Sequence, residues 1–166
     1  MHDYSCAVQY VNLDLFSRTE INKLYEIAAA NAKPISNPLE YMTLDILDLS
    51  QQENICKIAA QQDAYSLYYM TLDLFTDESI KEILELAIRN HAFIIGDDII
   101  DEKYKTEELC ELAVQVNPIA LCHIDNPTIK IYETARTKTW DALKFVRADH
   151  RTLELCEYAV QQDARN

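Results

Sequence analysis

Three groups of residues in this chain are of types that could do chemistry. The first is the string Gly96-Asp-Asp-Ile-Ile-Asp-Glu102. On a helix, Asp97, Asp98 and Asp101 would share a face and could bind Mg²⁺ through carboxylate oxygens. A Mg-dependent enzyme built on such a string also needs a second metal motif and a large cavity, and the sequence presents neither. An acidic connection between structural elements is the simpler reading. The second group is Cys122-His123 with Asp125 nearby, a conceivable nucleophile and base. Adjacent residues on a helix point in different directions, which works against that pairing. The third group is Cys56, Cys110 and Cys156. Their spacing follows an internal repeat, and Tyr or Leu replaces them in other units. That pattern suits small buried side chains better than metal ligands or disulfides.

Other chemistries lack their parts. The chain has five cysteines, an odd number, so they do not form a complete disulfide framework. His2, His91, His123 and His150 do not fall at zinc-site spacing. The single glycine, Gly96, excludes a glycine-rich phosphate loop. No catalytic, cofactor-binding or metal-binding residue is assigned, and no cofactor is expected.

The elements that would position any site come from the repeat. Leu109-Cys-Glu-Leu-Ala-Val-Gln115 and Leu155-Cys-Glu-Tyr-Ala-Val-Gln161 are near copies, and Ile55-Cys-Lys-Ile-Ala-Ala-Gln61 is a third. Aligned on alanine, the chain gives units anchored at Ala28, Ala59, Ala87, Ala113, Ala135 and Ala159. The column four before the anchor is always aliphatic: Leu24, Ile55, Ile83, Leu109, Ile131 and Leu155. The column two before it is always charged: Glu26, Lys57, Glu85, Glu111, Glu133 and Glu157. Apolar positions at −4, −3, −1, 0 and +1 make one stripe of a 3.6-residue helix, and the charged position falls outside it. A small residue at the anchor allows close approach of a neighbouring helix. In the fifth unit Thr134 and Arg136 stand where apolar residues are expected.

A second half follows each anchor. Ser66-Leu67, Ile94-Ile95, Ala120-Leu121 and Ala142-Leu143 recur at the same offset, after turn signals such as Asn117-Pro118 and Asp63-Ala64. Each unit therefore reads as a three-turn helix, a sharp turn and a shorter second helix. Thr106, Thr128 and Thr152, each seven before an anchor, are expected N-caps. The first unit has a longer turn, Ala32 to Pro38, and then Tyr41-Met-Thr-Leu-Asp45, which recurs as Tyr69-Met-Thr-Leu-Asp73. Residues 1–20, including Cys6 to Asn12, read as a degenerate N-terminal cap. Units of this length that touch only their neighbours stack, so the expected fold is all-α. It is one repeat domain over 1–166, with tandem helix-turn-helix repeats stacked as a short α-solenoid.

The segment Glu108-Leu-Cys-Glu-Leu-Ala-Val-Gln-Val-Asn-Pro-Ile-Ala-Leu121 resembles an uncharacterised tandem-repeat family. Its units read "E-x-C-x-x-A-V-x-x-N-x-x-A-L" and occur in phages, giant viruses and intracellular bacteria. The likeness is strongest over 106–124 and 152–162. It implies a helical repeat fold and carries no catalytic residues to transfer; its distribution associates it with host–parasite conflict.

Fifteen basic residues against 28 acidic ones leave a net charge of −13. Such a surface repels nucleic acid and anionic membranes, so a protein partner with a basic surface is expected and direct nucleic-acid binding is not. There is no apolar run of spanning length and no signal sequence, which with reduced cysteines suggests a cytoplasmic setting, including a host's cytoplasm. The expected function is a non-enzymatic protein-interaction scaffold. The alternative is an acidic phage, viral or bacterial inhibitor that blocks a nucleic-acid-binding host or defence enzyme. Candidate partner-binding residues are Glu85, Glu111, Glu133, Glu157, Asp97, Asp98, Asp101, Glu102, Tyr65 and Tyr69. Exposed repeat faces also allow a homo-oligomer.

Overall fold

The computed structural model describes residues 5–33 and 37–163. Pro34 to Ser36 of the long first turn and the first four residues lie outside that description. Every regular element of any length among the described residues is helical, so the fold is all-α. Six α-helices carry the six anchors: α1 Arg18–Ala29, α2 Leu49–Gln62, α3 Asp77–Asn90, α4 Glu107–Val116, α5 Ile129–Arg136 and α6 Leu153–Asp163. No described helix is long and apolar enough to cross a membrane.

Each helix starts at a side-chain cap. Thr106 and Thr128 accept from the backbone N–H groups of Leu109 and Ile131, and Thr152 accepts from that of Leu155. Ser17, Asp48 and Thr76 do the same for Glu20, Gln51 and Ser79. Ser17 and Asp48 form full capping boxes, with Glu20 and Gln51 reaching back to the cap N–H. The caps explain the helix lengths. Ser17, Asp48 and Thr76 lie eleven residues before their anchors, whereas Thr106, Thr128 and Thr152 lie seven before theirs. The first three helices therefore begin one turn earlier.

The expected second α-helix does not form. The segments after the helices are short 3₁₀ turns: Pro38–Tyr41, Ala64–Tyr69, Ala92–Gly96, Pro118–His123 and Ala142–Phe145. Aspartate and asparagine impose three of them. The side chains of Asn37, Asp63 and Asn117 each accept from the N–H two residues on, which tightens the chain into a turn before an α-helical bond can close. A further three-residue 3₁₀ turn precedes α2, α3, α4 and α6, as at Leu44–Ile46 and Leu72–Leu74. The opening residues 5–20 follow the same plan, with 3₁₀ turns at Ser5–Tyr10 and Leu13–Leu15 before α1. Except before α5, which has one such turn, the repeating unit is thus two 3₁₀ turns and one α-helix.

The chain packs as two compact units, Met1–His91 and Ala92–Asn166. In the first, α1 packs on α2 and α2 on α3, around a core that includes Ile21, Tyr25, Leu39, Leu47, Ile55 and Ala59. Ser66 anchors its turn from within, donating its hydroxyl to the Ala59 carbonyl and accepting from the Asn37 amide at 2.7 Å. In the second, α4 packs on α5, and Leu109, Ala113, Leu121, Ile131 and Ala135 are buried. Full burial of each of these leucine and isoleucine side chains contributes about 1.5–3 kcal/mol. Five of the six anchor alanines are buried, as the repeat requires, but Ala28 is only half-buried. In the fifth unit Thr134 turns its hydroxyl onto the Lys130 carbonyl at 3.0 Å, while Arg136 has its Nε buried without a hydrogen-bond partner.

Candidate protein-binding groove

The aspartate string is not helical. Asp97 stands at a turn and accepts from the N–H of Ile99, Asp98 is exposed, and Asp101 caps a 3₁₀ turn by accepting from Lys103 N–H. Glu102 is paired with Lys105 at 2.7 Å. The shared face that a helix would give these aspartates is therefore absent. Among the described residues no three His, Cys, Asp or Glu side chains converge to hold a metal ion.

The Cys122–His123 pair lies in a 3₁₀ turn instead of a helix. The His123 ring stands against Phe93, with centroids 5.3 Å apart, and its Cβ is close to Gly96. Asp125 lies 3.2 Å from His150 and 3.5 Å from Arg147, so its carboxylate is engaged with those residues. Cys56 and Cys110 are buried free thiols, and burial pushes their pKa values up to about 12 and about 11. A thiol so disinclined to ionise is a poor nucleophile and packs as a small apolar group.

The charged column has a role the repeat alone did not reveal. It is half-buried on α1 to α5, and at three of the five steps it joins neighbouring helices in the same way. The residue at −2 of one helix meets the residue at −5 of the next. Glu26 accepts from the Asn54 amide at 2.9 Å, Lys57 pairs with Glu82, and Glu111 pairs with Lys130 at 2.7 Å. Glu111 and Glu133 are therefore half-buried residues of the second unit's helices, and Glu85 is half-buried on α3. Only Glu157, on α6, is exposed in this column. Glu85 and Glu133 depart from that pairing, since the −5 column of the next helix holds Glu108 and Glu154. Glu133 Oε1 is buried with no hydrogen-bond partner.

The two tyrosine candidates lie in the first unit. Tyr65 is stacked on Tyr68 with ring planes 7° apart, and its other neighbour is His91 at 5.4 Å. Tyr69 opens the second Tyr-Met-Thr-Leu-Asp copy. The two copies share one backbone conformation: Thr43 has φ −92° and ψ 79°, and Thr71 has φ −96° and ψ 80°. Between them runs a groove of about 370 Å³. The first copy supplies Met42, Thr43, Leu44 and Asp45, and the second supplies Tyr69 and Thr71. Leu39, Gln52, Cys56, Leu74 and Phe75 complete the lining. Tyr41 and Tyr69 are each about two-fifths exposed, at 41% and 43%. Tyr25 Oη fixes one wall by accepting from the Thr43 N–H at 3.2 Å. Apolar walls with tyrosine and carboxylate groups suit an apolar segment that carries basic side chains. Met42, Thr43 and Asp45 were not among the sequence candidates, although the 28-residue recurrence of their motif marks them.

Comparison of the chain with protein-family models, with curated proteins and with solved structures returns no match.

Proposed function

We propose that this chain is a non-enzymatic protein-interaction module that holds a segment of a basic partner in the groove between its two Tyr-Met-Thr-Leu-Asp copies. One observation carries the reading: the two copies present the same backbone and flank one groove of mixed apolar and polar lining, with Tyr69 and Asp45 among its residues. Rigid aromatic side chains supply contact area at small entropy cost, and acidic groups speed encounter with a basic surface. The likeness to a repeat family of phages, giant viruses and intracellular bacteria accords with a role in binding another protein.

The net charge of −13 favours a second reading, an acidic inhibitor from such a source that occupies the nucleic-acid channel of a host or defence enzyme. One experiment separates the two. The protein is immobilised in native host lysate, washed at low and at high salt, and its captured partners are identified by mass spectrometry. A partner held at high salt supports the groove, because apolar contact is not screened. A nucleic-acid-handling enzyme that is lost at high salt and displaced by added nucleic acid supports the inhibitor. Capture of nothing from a lysate of the native host counts against both.

A further inference from the structure

Burial along the repeat columns shows two helices with complementary uncovered faces. In α2, α3 and α4 the columns −4, −3, 0 and +1 are buried, and −2 and −1 are half-buried. On α1 the departures are all at −4, −1 and 0. Leu24 and Ala28 are half-buried and Ile27 is 54% exposed. On α6 the departures are all at −3, −2 and +1. Cys156 is half-buried, Glu157 is exposed and Val160 is 66% exposed. At 100° per residue these are opposite sides of a helix. The α1 columns flank −5, the position that meets a preceding helix. The α6 columns flank −2, the position that meets a following one.

The charges on the two faces obey the rule that joins α4 to α5. The residue at −2 of α6 is Glu157, and the residue at −5 of α1 is Lys23. Both are exposed. The same columns hold Glu111 and Lys130, paired at 2.7 Å. The apolar parts match as well: Val160 at +1 and Leu153 lie on one face, Ile27 and Leu24 on the other.

We infer that the α6 face of one copy docks the α1 face of a second copy, in the register of the internal helix pairs, with Glu157 of one against Lys23 of the other. The contact is heterologous, using a different face on each copy, so association is not limited to two copies. It goes beyond the proposed partner groove and does not depend on it, because Tyr41 and Tyr69 lie on neither face.

Sedimentation and light scattering of the purified full chain test this across a wide concentration range. The mass is expected to rise with concentration from the 19.2 kDa of one copy. Ile27→Glu blocks the α1 face and Val160→Glu blocks the α6 face; each is an exposed site, so each variant keeps its circular dichroism spectrum. Each alone is expected to stay monomeric. Mixed in equal amounts they are expected to form a dimer and stop there, since each supplies one intact face. A second pair, Lys23→Glu and Glu157→Lys, is expected to lose association singly and recover it on mixing. A wild-type mass that stays at one copy throughout overturns the inference. So does either blocked variant that still dimerises alone.

Discussion

The carboxylate of Glu111 on α4 lies 2.7 Å from the ammonium of Lys130 on α5, and the same two columns of the repeat meet at Glu26–Asn54 and Lys57–Glu82. The pairing is a register device. Apolar stripes slide against one another at small cost, whereas a half-buried charge fits one position. Lys130→Glu is expected to lower the melting temperature, and the swap Glu111→Lys with Lys130→Glu to recover most of the loss. A thermal melt of the four species gives the coupling directly. Additive losses with no recovery would show that the pair does not set the register.

The α5–α6 step lacks this pair, because Glu133 and Glu154 occupy its two columns. Glu154→Lys is therefore expected to stabilise the second unit and to protect α6 amides from hydrogen exchange. Exchange measured peptide by peptide checks this. Unchanged protection in α6 would mean that Glu133 and position 154 do not meet.

Gly96 is kept for space. A Cβ at that position would lie 2.4 Å from the Cβ of His123, and the residue does not use a positive φ. Gly96→Ala is expected to cost about 1–3 kcal/mol, the usual range for overpacking. His123→Ala retains the clashing Cβ, so it should not rescue the variant. Urea unfolding of the single and double variants provides the test.

The buried thiols give an alkaline prediction. The folded pKa values of Cys56 and Cys110, about 12 and about 11, are above the ordinary thiol value of 9.0. Folding holds the proton, so this contribution is complete below pH 9 and is lost as pH rises through the folded values. In native protein at pH 8, a thiol reagent should label Cys122 and leave Cys56 and Cys110 untouched until urea unfolds the chain. Peptide mapping reads which sites react, and fast native labelling of Cys56 would contradict its burial.

The repeat frame was legible because alanine and aliphatic residues recur at helical spacing, and the threonine caps of α4 to α6 stood at one offset. The caps of the first three helices were also present in the sequence. Ser17-Arg-Thr-Glu20 is a plain capping-box pattern, but it lies one turn further from its anchor than the threonines do. The 3₁₀ turns were read as α-helices because periodicity over five or six residues does not separate the two forms. The Asx side chains that decide between them act through local hydrogen bonds. Three of the ten candidates, Glu85, Glu111 and Glu133, are half-buried for a related reason. A charged column outside an apolar stripe reads as solvent-facing, but in stacked helices its edge becomes a half-buried seam, as at Glu111 and Glu133. The groove was visible only as an unexplained recurrence of Tyr-Met-Thr-Leu-Asp, since what lies between the two copies depends on packing.

The most direct measurement compares partner capture by the native chain with capture by a Tyr41→Ala, Tyr69→Ala double variant, at matched folding and in high salt. Tyr69 lines the groove, Tyr41 is the chain neighbour of its lining residue Met42, and both are partly exposed, so the variant should melt within a few degrees of the native chain. Loss of the captured protein by tenfold or more in the variant is the expected result, with its recovery when phenylalanine is placed at both positions. Undiminished capture by a folded double variant would contradict the claim that the groove between the two motif copies is where this protein binds.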